Sequence, residues 1–231
     1  MRPPAAASSA PETSASAADG GERDAALGEE RVAVAGRAVA DDAERGEVLV
    51  LPVVEGAEDV LAYAYGVFHS PAFRARYAPF LRIDFPRLPL TSDRALFRAL
   101  VAHGRRLVAL HLLRGVPAAG RPVFKLGGQP AVTVGKAPYP RYVAPEVSES
   151  GKGRVYLNDA QFVEGVGPEA WAFTVGGYQP AQKWLKDRRG RTLTHDEMEH
   201  YRSTVAALAA TGEAMAAIDA EIEAAGGFPL A

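Results

Sequence analysis

The sequence predicts an α+β fold, in which helical segments at both ends flank a small, mainly antiparallel β-sheet behind a disordered N-terminal tail. Three observations predict it. Apolar residues recur at helical spacing over 58–113 and again over 195–225. Between these stretches, residues 120–175 change to short β-forming runs separated by Gly and Pro. Residues 1–20 hold seven Ala, four Ser and three Pro and keep neither period.

Taken in order, residues 1–47 form the predicted acidic tail and 48–231 the folded domain. Val48-Leu49-Val50-Leu51, stopped by Pro52, reads as an edge strand. Val60, Leu61, Tyr63, Ala64, Tyr65, Val67 and Phe68 crowd a short, nearly buried helix. Ser70 is the predicted N-cap of a second helix, with Pro71 at its first position and Phe73, Tyr77 and Phe80 along it. Prolines 86 and 89 force residues 84–89 into an extended connector. Ser92 is the expected cap of a helix over about 93–113, apolar at Leu96, Phe97, Leu100, Val101, Leu107, Val108 and Leu112, and ended by Gly115 and Pro117.

Strands are predicted at 122–124, 131–134, 141–143, 154–158 and 172–175. Helix returns at 179–186 and a turn follows at 187–191. Thr194 with Glu197 three residues on makes a capping box. It opens a last helix over 195–225, striped by Met198, Tyr201, Val205, Leu208, Met215, Ile218 and Ile222 and closed by Gly226-Gly227. Trp171, Trp184, Tyr63, Tyr65 and Phe97 read as core.

Composition bounds the function. With 231 residues, 48% hydrophobic and 23% charged, the chain can bury a sizeable core. The absence of cysteine excludes a disulfide scaffold and any Cys-ligated zinc or iron–sulfur site. No apolar run approaches the roughly 20 residues that span a bilayer, and the first residues carry no apolar leader core, so a soluble cytoplasmic protein is expected, with no membrane partner. The net charge of −2 hides an asymmetry. Residues 1–57 carry 5 Lys and Arg against 11 Asp and Glu; residues 71–191 carry 20 against 8, a net +12. A basic field of that size suits a polyanion.

Catalytic signatures are missing. There is no Asn/Asp-Pro-Pro-aromatic loop of the kind that holds a flipped base for amino-methylation, and no Gly-rich cofactor turn after a strand. Lys125-Leu126-Gly127-Gly128 lacks both the Lys-Ser/Thr and the following helix of a phosphate loop. Of the five histidines, His195 and His200 lie five apart on a helix and face different ways, a poor metal pair. No catalytic residue, cofactor or metal is expected.

Three stretches, in this order, resemble the C-terminal specificity domain of type ISP restriction–modification enzymes. The first runs from His69-Ser70-Pro71-Ala72-Phe73-Arg74 through Tyr77 and Phe80-Leu81 to Ile83-Asp84-Phe85-Pro86-Arg87-Leu88-Pro89. The second is Arg154-Val155-Tyr156-Leu157-Asn158 with Gln161-Phe162 and Gly165-Val166. The third is Gly176-Gly177-Tyr178-Gln179, then Lys183 to Arg191, then His200-Tyr201. The resemblance implies a non-catalytic reader of double-stranded DNA that works with a methyltransferase–translocase polypeptide, separate or lost. Pro180 stands where the family pattern has an aliphatic residue, and residues 115–152 depart from the pattern, as the reading loops of a sequence reader are expected to do. Two other readings stand beside it: a non-functional gene remnant, and a protein–protein adaptor docking on a methyltransferase domain through its first and last helices.

Phosphate contacts need cations, and base edges need forked polar groups. Lys183, Lys186, Arg188, Arg189 and Arg191 form a compact cationic turn and are the candidate phosphate clamp. Lys125, Lys136, Arg141, Asn158, Gln161, Gln179 and Gln182 are the candidate base or backbone contacts.

Overall fold

The computed structural model describes residues 56–147 and 151–230. The acidic tail and the edge strand expected at 48–51 lie outside the described residues. The architecture is α+β, as expected, and is organised around one long helix, α6 (His195–Ala224).

Helix α1 (Ala57–His69) crosses α3 (Arg94–His111) at two glycines. A Cβ on Gly104 would sit 1.8 Å from the carbonyl oxygen of Ala62, and one on Gly66 would sit 2.9 Å from that of Leu100. The backbones therefore touch, and only glycine permits it. Tyr63 stacks on Phe97 with ring centroids 4.8 Å apart, and its hydroxyl donates to Pro89 O at 2.8 Å. Burial pushes that phenol up to about 12. Ser70 caps α2 (Pro71–Arg76) by accepting from Phe73 N, and also bonds Asp219 of α6.

Three helix details differ from the sequence reading. Helix α2 ends at Arg76, and Phe80 lies in a separate 3-10 turn, Phe80–Arg82, because Pro79 interrupts the helix. The cap of α3 is Asp93, not Ser92; its carboxylate accepts from Ala95 N and Leu96 N, where a negative group also suits the helix dipole. Helix α3 stops at His111, before Gly115. Leu113 takes φ 54, with Leu113 N bonded to Leu110 O and Arg114 N to Ala109 O. This is the left-handed C-terminal turn usually built with glycine; here the leucine side chain reaches the junction formed by Leu110, Val116, Ala207 and Ala210.

The sheet has the order β1-β5-β4-β3, antiparallel throughout: β1 (Val123–Lys125), β5 (Phe162–Val166), β4 (Gly153–Tyr156) and β3 (Arg141–Val143). A second ribbon pairs β2 (Val132–Thr133) with β6 (Thr192–Leu193). The strand expected at 172–175 is absent. Pro168 opens a short helix, α4 (Pro168–Ala172), and Val175 makes only an isolated bridge to Tyr178. The central strand β5 takes its place in the sheet, with Gly165 at φ +91 interrupting its apolar pattern.

Helix α6 (His195–Ala224) opens with the expected capping box of Thr194 and Glu197. Its 30 residues span about 45 Å. Its C-terminal half packs on α1, α2 and α3 through Ala214, Ile218 and Ile222. Its N-terminal half packs Tyr201 and Val205 against α5 (Pro180–Lys186) and the inner sheet face, Val155 and Val163. Among the described residues no helix is long and apolar enough to cross a membrane.

Candidate nucleic-acid interface

Cross-strand partners share a sheet face. Lys125, Phe162, Tyr156 and Arg141 are successive partners across β1, β5, β4 and β3, so they form one row. The next row is Val123, Glu164, Arg154 and Val143. The helices cover the opposite face, leaving both rows outermost. The Arg141 guanidinium lies 4.8 Å from the Tyr156 ring centroid and that of Arg154 lies 5.0 Å from Phe162, while the two rings are 5.2 Å apart. Glu164 is the acidic member of this face. It pairs with Arg154 at 2.8 Å and Lys125 at 3.4 Å, and the Arg154 guanidinium holds its carboxyl below the usual range. The face is thus cationic, with aromatic rings beneath the guanidinium groups.

Next to it lies a corner built from the β2–β3 loop and the turn after α5. Val134 N donates to Arg191 O, Gly190 N to Val134 O, and Gly135 N to Leu157 O at 2.7 Å. A Cβ on Gly135 would meet the Tyr139 ring at 2.8 Å, so the loop folds tightly. Arg189 Nε donates to Tyr139 O at 2.5 Å, and the Tyr139 hydroxyl donates to Asp159 at 2.6 Å. Lys136 and Arg141 are exposed on either side of Tyr139.

The five cations of the expected clamp divide. Arg188 folds inward: its guanidinium lies 3.7 Å from the Trp184 ring centroid and bonds Trp184 O and Glu197. Arg191 reaches the same Glu197 carboxylate at 3.1 Å but stays mostly exposed. The carboxyl of Glu197 is held low first by the backbone N–H of Thr194 and then by these two arginines. Lys183 pairs with Asp187 at 2.7 Å, and Lys186 donates to Gln182 at 3.3 Å; both remain exposed. Arg189 is exposed at the corner.

The amides divide too. Gln161 is 3% exposed. Its Nε2 donates to Ala131 O at 2.7 Å and Leu126 O at 3.2 Å, and its Oε1 accepts from Thr133 N at 3.1 Å and Asn158 Nδ2 at 2.7 Å. Asn158 donates also to Thr133 O and accepts from Ala160 N and Gln161 N. These two staple the β4–β5 turn to β2, and their amide groups are engaged in these bonds. Gln182 is tied to Trp171 O. Gln179 sits half-buried at the N-cap of α5 without a side-chain cap bond. The sequence reading did not pick Arg154, Tyr156, Phe162 or Tyr139 as site residues. The alternation Arg154-Val155-Tyr156 carries the signal for two of them, but it shows only once their strand is known to have one solvent face.

The family model described as the type ISP C-terminal specificity domain matches residues 24–217. The chain belongs to this family. No curated protein matches it. Among solved structures, the specificity domain is similar to part of a nuclease-deletion mutant of the type ISP restriction-modification enzyme LlaGI in complex with a DNA substrate mimic. There the TM-score is 0.51 and the identity 22%, over 70% of this chain and 14% of that one. It is also similar to part of the ATP-dependent type ISP restriction-modification enzyme LlaBIII bound to DNA, with a TM-score of 0.53 and 18% identity, over 73% of this chain and 11% of that one. The chain therefore spans about a tenth to a seventh of the length of these enzymes, and at such identities the likeness is one of fold. In the specificity domain, residues 115–152 supply β1, β2, β3 and the corner loop.

Proposed function

We propose that this specificity domain reads a double-stranded DNA sequence for a type ISP restriction–modification system, while methylation, translocation and cleavage reside in polypeptide beyond this fold. The observation that carries the reading is the uncovered cationic sheet face beside the Lys136–Arg189 corner, in a chain of this family. The four strands measure about 14 Å across at the usual spacing, wider than the ~12 Å major groove of B-DNA. The flat face therefore suits the phosphates, met by Lys125 and Arg141, and only its edges and loops fit a groove. The corner bearing Lys136, Arg189 and Arg191 is the part shaped to enter. Lys183 and Lys186 on the neighbouring helix extend the phosphate contact, and Gln179 and Gln182 are the amides nearest to it in sequence.

The test is selection of bound sites from a randomised duplex pool with the purified chain, followed by affinity for the selected site across a salt series. Enrichment of one short site is expected. Each phosphate contact removed lowers the slope of log affinity against log salt by about 0.9. Arg189→Glu with Lys136→Glu should therefore flatten it by about 2, whereas Arg188→Ala should leave the slope unchanged and cost about 1–2 kcal/mol of stability through the lost ring contact and hydrogen bonds. An unaltered slope and affinity in the double variant would remove the corner from the interface.

A further inference from the structure

We propose that the connector after α2 is a docking hook for the catalytic polypeptide of a type ISP system. Phe80, Ile83 and Phe85 are 65%, 83% and 90% exposed. Three large apolar side chains within six residues leave about 450 Å² of apolar surface in water, the size of the largest patch on many monomers and commonly a functional one. The hook is held in shape. Leu81, Leu88 and Leu90 pack against the helical core, Pro89 O accepts from Tyr63, and Asp84 accepts from Phe85 N at 2.7 Å. Little ordering cost remains when it binds.

Three arguments choose the occupant. Two hooks facing each other would bury about 900 Å², short of the roughly 1,200 Å² of a stable interface, so a second copy of this chain fits poorly. Helix α2, which leads into the hook, sits at the end of α6 where Phe73 meets Phe228 and Ser70 meets Asp219. The sheet packs on Val205, 14 residues away and so about 21 Å along the axis, and a partner on the hook leaves the DNA face open. The matched enzymes continue far beyond this fold, which covers only 14% and 11% of them. Arg82 and Arg87 flank Ile83 and Phe85 with Asp84 between them, so the complementary surface is an apolar pocket with an acidic rim. The identity of the partner rests on the proposed DNA-reading function; the existence of the hook does not.

The probe is the LlaBIII polypeptide truncated ahead of its own specificity domain, its folded state checked by ATP hydrolysis. The full chain is expected to bind it, and Phe80→Ser/Ile83→Ser/Phe85→Ser to bind at least tenfold more weakly, with an unchanged circular dichroism spectrum and unchanged duplex affinity. No binding by the wild-type chain, or equal binding by the triple variant, overturns the proposal. So does a wild-type dimer that the triple variant dissolves, which makes a second copy the occupant, or a loss of duplex affinity in the variant, which makes the hook a DNA wedge. Hook-dependent binding to the probe by a chain that shows no DNA affinity would sustain the hook and sink the DNA reading.

Discussion

Replacing Gln161 tests whether its amide is structural. In Gln161→Ala, Ala131 O and Thr133 N lose the partners that the amide supplies, while Leu126 O keeps Gln129 N and Asn158 Nδ2 keeps Thr133 O. A polar group left unpaired costs about 1–3 kcal/mol, the lower end applying to part-buried groups such as these. Two such groups at the lower end, with the packing lost around a side chain 3% exposed, give about 3 kcal/mol. For a domain of this size that lowers Tm by about 6–12 °C. Gln161→Glu sharpens the test. It keeps the shape but turns an acceptor toward Ala131 O and Leu126 O, where a donor stood. The introduced carboxylate is disfavoured when ionised, so its folded pKa rises. The deficit relative to wild type is then full above that raised value and shrinks as pH falls through it and the group gains a proton. Urea unfolding of the three proteins between pH 5 and 8 measures both effects. An alanine variant within 0.5 kcal/mol of wild type, or a glutamate variant with no pH-dependent gap, refutes the stapling argument.

Gly104→Ala drives a methyl group to 1.8 Å from Ala62 O, so α1 and α3 must part; a loss above about 3 kcal/mol is expected by calorimetry, and a mild effect would mean the crossing is looser than described. The rings of His69 and His111 are 5.3 Å apart, and both are shifted below the ordinary value of 6.5, in each case first by burial. Their contribution to stability is complete above 6.5 and is lost as pH falls through the lowered folded values. His111→Asn should therefore reduce the acid-side decline in unfolding free energy, and an identical decline would exclude the pair as its source.

Local signals made most of the helical frame legible. Ser70-Pro71 and Thr194 with Glu197 specify their caps within four residues, and both caps form. The sheet was legible only in part, because its pairing is nonlocal. β5 reads poorly, since Gly165 breaks its alternation and one of its partners, β1, lies nearly forty residues upstream. Residues 172–175 have strand-like composition, yet Pro168 presets a helix that uses up Trp171 and Ala172 first. The site was half legible for the same reason. Charge marks Arg188 and Arg189 equally; only the fold puts Trp184 and Glu197 under the first and leaves the second at the corner.

The sheet order divides the proposed DNA-facing surface into central strands and edges. β4 and β5 are the central strands, and they carry Arg154, Tyr156 and Phe162. β1 and β3 are the two edges, and they carry Lys125 and Arg141. Lys136 and Tyr139 lie in the corner loop between β2 and β3. An edge strand has a single neighbour, so its exposed side chains can change without disturbing a second pairing, whereas a change in β4 or β5 touches two. The central rings fix a platform, and the edges set what stands around it. In the proposed reading, a change of target acts at the corner, through Lys136 and its loop, while Lys125 and Arg141 keep their phosphates, and the proposed hook lies apart from both.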